Sequence, residues 1–161
     1  MKLFLFSMIV FAALFALAIP FLSRRRRVET FNIGEGSHPD GRVSYLADAD
    51  HAERYSLVKR GALNNSTAIC GAADVPIGVS TDTPKANGAH TVRLFSGKGT
   101  QLMVASAAIV QDALVEPAAN GRVATLGAGA GTHWVMGRAI TAATAAGQQI
   151  EVDMTFQKLV I

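Results

Sequence analysis

A single cysteine, Cys70, stands among the 161 residues. No intrachain disulfide can form, and zinc sites built from several cysteines are excluded. Preceded by Thr67-Ala68-Ile69, the thiol reads as a small buried hydrophobe rather than a reactive group. A lone cysteine also accords with a reducing compartment. Aromatic residues make up only 7% of the chain. The core must therefore be built from Ala, Val, Gly and Thr, which gives a modest core under closely packed strands.

Catalytic and metal-binding patterns are equally sparse. The four histidines are His38, His51, His90 and His133, and none stands two or four residues from another. A metal pair borne on one strand or helix is thus excluded, and the histidines are expected at the surface or rim. Asp48-x-Asp50-His51 lacks the glycine and distant glutamate of a calcium loop and reads as a solvated acidic turn. There is no G-x-S-x-G elbow. Gly127-Ala128-Gly129-Ala130-Gly131 lacks dinucleotide-binding spacing and leads into the strand-like Thr132–Val135. Asn64-x-Ser66 and Asn65-x-Thr67 are formal glycosylation sequons that matter only in a secreted body. No cofactor is implied. An enzyme or small-ligand barrel is the least supported reading, because no convergent polar constellation is visible.

Positive charge is scarce once its position is considered. The formal net charge is +3, but five of the fifteen cations are Lys2 and Arg24–Arg27. From Val28 onward ten cations face all twelve acids, a net charge of −2. The cations there are scattered apart from Lys59-Arg60, so a nucleic-acid interface is disfavoured. Lys59 and Arg60 follow the apolar Leu57-Val58 and are candidate rim contacts for an acidic partner surface, against the plainer reading of a solvated strand end.

What the chain does have begins with a long apolar run. Leu3–Leu22 carries no charge, and twenty helical residues span roughly 30 Å, the thickness of a bilayer core. Three readings stay open. As a transmembrane anchor flanked by Arg24–Arg27, it would leave the body in the cytoplasm. As a signal peptide, it would be cut after Ala16-Leu17-Ala18. As an arm outside any membrane, it would pack on a partner or come from an over-extended start. The glycine- and proline-bearing stretch 28–41 then reads as an extended arm or linker, and Val43–Ala52 as holding one helical turn.

From Tyr55 the pattern is β. Short alternating runs are separated by turn residues every 8–12 positions, which predicts an all-β barrel or sandwich. Strands are expected at Tyr55–Arg60, Thr67–Cys70, Val75–Ser80, His90–Phe95, Gln101–Ala105, Ala113–Glu116, Thr132–Thr141 and Gln149–Phe156. Asn120-Gly121 predicts a hairpin turn, since both central residues of a type I′ turn need positive φ. An internal echo spans it: Ile77-Gly78, Asn87-Gly88 and Val92 are similar to Met136-Gly137, Ala146-Gly147 and Ile150-Glu151-Val152, with both glycines offset by 59 residues. Two similar hairpin-like layers of one small barrel are implied, with Gln101–Thr125 as the connector between its halves. Segment boundaries read as 1–27 for the hydrophobic helix and tetra-Arg flank, 28–54 for the arm, and 55–161 for the β-rich domain.

Certain runs resemble a known family. Tyr55-Ser56-Leu57-Val58-Lys59-Arg60-Gly61 and Ala68-Ile69-Cys70-Gly71-Ala72-Ala73-Asp74-Val75-Pro76-Ile77-Gly78-Val79 are similar to the head-decoration, or capsid cement, proteins of tailed bacteriophages. So are Leu102–Ile109, Ala118-Ala119-Asn120-Gly121-Arg122-Val123, Val135–Thr141 and Gly147–Val152. The resemblance covers about Phe31 to Val152. It implies a non-enzymatic virion protein on the outer surface of the capsid, made in the host cytoplasm. It further implies that the major capsid protein is the partner, that the lattice is stabilised, and that the chain is a homo-oligomer, a trimer being favoured. Phe31, Asn32, Ile33, His38 and Arg42 would form a capsid-contact arm, and Asn120 and Gly121 a structural turn. Two departures stand out. Gln111-Asp112-Ala113 replaces the glycine usual before the short central strand, and residues 1–27 are additional. The alternative is a membrane-anchored accessory protein, in contact with the bilayer through Leu3–Leu22.

Overall fold

The computed structural model describes residues 41–96 and 99–161. The hydrophobic segment, its arginine flank and the predicted arm residues up to His38 lie outside them. Among the described residues all regular structure is β-strand, apart from one three-residue 3-10 turn.

Five strands close into a barrel: β1 (Arg42–Ala47), β2 (Ser56–Arg60), β3 (Ser66–Ile69), β4 (Gly78–Ser80) and β5 (Ala89–Leu94). Their spatial order is β1-β3-β2-β4-β5. Closure comes from β1, which pairs antiparallel with β5 from Arg42↔Arg93 to Leu46↔Ala89 and parallel with β3. Five more strands form a second sheet: β6 (Thr100–Val104), β7 (Leu114–Pro117), β8 (Val123–Thr125), β9 (Thr132–Ala139) and β10 (Gln149–Val160). Its order is β6-β10-β9-β7-β8. The two edges nearly meet. Ala105, just past β6, bridges Val123 of β8, and the Ser106 N–H donates to the Val123 carbonyl at 2.8 Å.

The all-β expectation therefore holds, but the single barrel becomes a barrel and a curled second sheet. Gln101–Thr125 does not connect two halves of one barrel; it supplies β6, β7 and β8. The helical turn expected within Val43–Ala52 is instead β1. Val43, Tyr45 and Ala47 share one strand face, with Tyr45 and Ala47 buried, which is the period of two that a strand imposes. The echoed units also fall in different sheets, β4–β5 and β9–β10. In both, the glycine sits where a neighbouring strand comes too close for a side chain. A Cβ at Gly78 would lie 2.5 Å from the Arg93 carbonyl oxygen, and one at Gly137 only 1.9 Å from that of Asp153. The departure at Asp112 also has a backbone reason. Asp112 adopts φ 65°, a left-handed conformation that glycine takes freely and aspartate better than most residues.

Alternation divides the apolar residues of the barrel between two cores. Val58 and Val92 pack with Tyr45 in a small cluster. Leu57 and Val79, one residue out of phase, join the main core with Met103, Ile109, Val115, Val123, Met136, Ile150 and Val152 of the second half. The largest core thus lies between the sheets.

The β7–β8 hairpin latches this arrangement. Asn120 and Gly121 carry φ 61° and 71°, as an Asn-Gly turn requires. The loop holds a third residue, Ala119, and is closed by the Ala118 N–H donating to the Arg122 carbonyl at 2.8 Å. Its tip docks on the barrel, where the Gly121 N–H donates to the Cys70 carbonyl at 2.8 Å. A Cβ on Gly121 would come within 2.9 Å of the Leu57 carbonyl oxygen and 3.0 Å of the Ser56 Cβ. Gly121→Val combines that clash with a positive φ at a β-branched residue. It should cost on the order of 3 kcal/mol in chemical denaturation, or prevent folding. Unchanged stability would show that the docked turn is not a latch.

Candidate functional site

Of the residues picked out from the sequence, Phe31, Asn32, Ile33 and His38 lie outside the described residues. Arg42 opens β1 on the exposed surface, in register with Arg93. Lys59 and Arg60 end β2 at the barrel rim. Lys59 is engaged by its own chain, with Nζ 2.7 Å from Asp74 Oδ2. The same carboxylate accepts the Gly71 N–H at 2.7 Å. This pairing raises the Lys59 pKa and lowers that of Asp74. An ion pair so open to solvent contributes little to stability. The Arg60 guanidinium sits over the Tyr45 ring, 5.9 Å from its centre, and the residue is exposed. Asn120 and Gly121 belong to the latch, which Arg122 reinforces by a two-pronged pairing with the Glu53 carboxylate.

The histidines depart from expectation. His51 and His90 are not at the rim: each is only 4% exposed, and their rings meet edge to face with centres 4.9 Å apart. The signal for His90 was its parity. It shares a strand face with Val92 and Leu94, in a strand whose burial alternates. His90 is wired as a neutral ring. The Ser80 hydroxyl donates to the Asp82 carbonyl at 3.0 Å, so its oxygen accepts from His90 Nδ1–H at 2.7 Å. Nε2 then accepts from the Thr67 hydroxyl at 2.8 Å. Burial, aided by the neighbouring His51, pushes the His90 pKa down to about 4. Burial lowers that of His51 too, and among the described residues neither of its ring nitrogens has a partner. His133 differs. It is half-buried, Nδ1 lies 2.6 Å from Glu116 Oε2, and the pairing raises its pKa.

Cys70 is fully buried in the main core, and burial pushes its thiol up to about 12. It is the inert hydrophobe its surroundings suggest. The acidic turn is exposed and works as a tie between loops. Asp48 accepts the Ala62 N–H, while Asp50 accepts the Ala86 N–H and pairs with Lys85 at 2.9 Å. Among the described residues no group of three His, Cys, Asp or Glu side chains could hold a metal ion. What the geometry offers is a set of surfaces around a latched core.

No protein-family model matches the chain, and no curated protein matches it. Its fold is similar to that in the crystal structure of the N base of the head fiber gp8.5 of bacteriophage phi29. The TM-score is 0.55 at 17% identity, and the match covers 74% of this chain and 98% of that one. At such identity the likeness is one of fold.

The buried histidines set a pH dependence. The unfolded chain takes up protons at these rings from about pH 6.5, whereas folded His90 resists until about 4. Stability is therefore full above pH 6.5 and falls as pH drops towards 4. The His133–Glu116 pair, with its raised pKa, acts in the opposite sense, as one surface pair against two buried rings. Asp48, Asp50 and Asp74, with lowered pKa values, add their losses below about 3.8. Tm measured between pH 7 and 4 should decline, and His51→Phe should flatten that decline. A Tm unchanged across this window would contradict the assignment.

Proposed function

We propose that this protein is a non-enzymatic structural component of a phage virion, placed on the outer surface of the head, where it stabilises the lattice of the major capsid protein. The observation that carries this reading is the fold shared with the phi29 head-fiber base, which the chain spans almost completely. The motif resemblance to head-decoration proteins, read independently from the sequence, supports it. The physical character of the body agrees. A low-charge, loop-rich β body makes many weak contacts, and repetition on a symmetric shell turns weak contacts into avidity. In this reading the chain works as a homo-oligomer, with a trimer favoured, and the segment Phe31–Arg42 reaches over neighbouring subunits.

The apolar run Leu3–Leu22 with its arginine flank supports a second reading, a β body anchored at a membrane. One fractionation separates the two. Purified particles should contain this chain at fixed stoichiometry, and alkaline extraction of host membranes should release any copy found there. Absence from purified particles, with retention in the extracted membrane pellet, would overturn the virion reading in favour of the anchored one.

A further inference from the structure

His133 lies near the start of β9, and both of its ring nitrogens are engaged. Nδ1 stands 2.6 Å from Glu116 Oε2 on β7, and Nε2 stands 2.9 Å from the Gly129 carbonyl oxygen. The other carboxylate oxygen, Glu116 Oε1, accepts the Gly127 N–H at 3.0 Å. A backbone carbonyl can only accept, and so can a carboxylate. Neutral imidazole has one N–H, which would leave one of the two contacts as acceptor against acceptor. The network is satisfied when the ring carries both protons and donates twice. The pair is partly withdrawn from water, with side chains 16% and 20% exposed. The bond to Glu116, then the bond to Gly129, raise the pKa of the ring, and burial opposes them.

The imidazolium closes a loop. Gly127-Ala128-Gly129-Ala130-Gly131 joins β8 to β9, and its two ends are tied by other means. Gly127 is held by Glu116, and Gly131 exchanges two backbone bonds with Ile161, each 3.0 Å. Between them the apex is bare. Among the described residues nothing lies within 4 Å of where a Cβ on Gly129 would stand, and no hydrogen bond reaches residues 128–130 besides the one from His133. Once released, a glycine-rich apex gains more backbone freedom than any other sequence would. The charge that faces the ring is that of Glu116. Across the ladder from His133 stands Leu159, while Lys158, opposite Trp134, belongs to the other face. On the far side of Glu116, β8 places Ala124.

We propose that His133 is a proton-controlled clasp on the 127–131 loop. Doubly protonated, it ties the apex to β7. As pH rises, the Nε2 proton passes to water, because the Nδ1–H bond to a carboxylate is charge-assisted and the bond to a neutral carbonyl is weaker. The bare Nε2 lone pair then faces the Gly129 oxygen, and the apex swings out while Gly127 and Gly131 stay fixed. Closure is complete below about 6.5, the ordinary value of the ring, and is lost as pH climbs through the raised value of the closed state. The clasp thus opens in base, the reverse of the two buried rings, which acid disfavours. It does not depend on the virion reading.

Nuclear magnetic resonance of the nitrogen-15-labelled full chain tests this, with the His133 ring assigned as the signal missing from His133→Ala. Below its midpoint the ring should show both nitrogens protonated, and above it Nδ1 alone. The midpoint should lie above 6.5, and Glu116→Gln, which keeps an acceptor for the Gly127 N–H, should bring it back towards 6.5. Backbone order parameters at Gly129 and Ala130 should fall from about 0.85 to below about 0.6 as the ring loses its proton, with those of Val135 and Met136 unchanged. His133→Ala should leave the apex mobile at every pH. The proposal is overturned if the ring never holds two protons, if Nε2 keeps its proton above the midpoint, or if Glu116→Gln leaves the midpoint where it was. Equal order at Gly129 on both sides of the midpoint would overturn it too. Loss of order along the whole of β9 in the same window would mark a general structural role for the pair and would overturn the clasp equally.

Discussion

Leu57 carries the constraint on which the rest of the structure depends. It points out of the barrel, not into it, and is fully buried only because the second sheet covers it. The barrel has little else to stand on. Its other cluster of buried residues holds Tyr45, Val58 and Val92, and the buried groups beside these include the polar His51, Thr67, Ser80 and His90. A five-stranded barrel with such contents buries too little apolar surface to be stable alone. Leu57 and Val79 tie its stability to Met103, Ile150 and Val152 across the junction. The Asn120-Gly121 tip, docked between Leu57 and Cys70, holds the same seam. At the seam, Gly121 has no side chain to hold the hairpin tip off Leu57 and Ser56, and Leu57, Met103, Ile109 and Ile150 fill the space between the halves.

Much of this was legible in local sequence because strand and turn signals are local. His90-Thr91-Val92-Arg93-Leu94 alternates, and Asn-Gly dictates its own backbone, so the strand and the turn follow from their residues. The single fully buried cysteine follows from its apolar neighbours. β1 was harder to see. Leu46 breaks the alternation of Val43, Tyr45 and Ala47, and the acidic turn follows at once, so the stretch reads as a helical turn rather than a strand. The division into two sheets was invisible because it rests on pairings between distant positions, such as Arg42 with Arg93 and Ala105 with Val123. His51 gave no periodic signal at all. It lies in a loop, and it is buried with its ring edge to face against His90.

Buried His90 is satisfied on both ring nitrogens by Thr67 and Ser80, whereas buried His51 is not. The rim cations differ in availability: Lys59 is held by Asp74, while Arg60 stays exposed above Tyr45.

The central claim is that barrel and second sheet form one cooperative body, and the chain carries its own reporters for it. Its only tryptophan, Trp134, lies on β9 of the second sheet, and its only two tyrosines, Tyr45 and Tyr55, belong to the barrel half. Urea unfolding followed at once by tryptophan fluorescence and by tyrosine absorbance should give a single coincident transition. Two separated midpoints, with the barrel melting before or after the second sheet, would contradict the shared core.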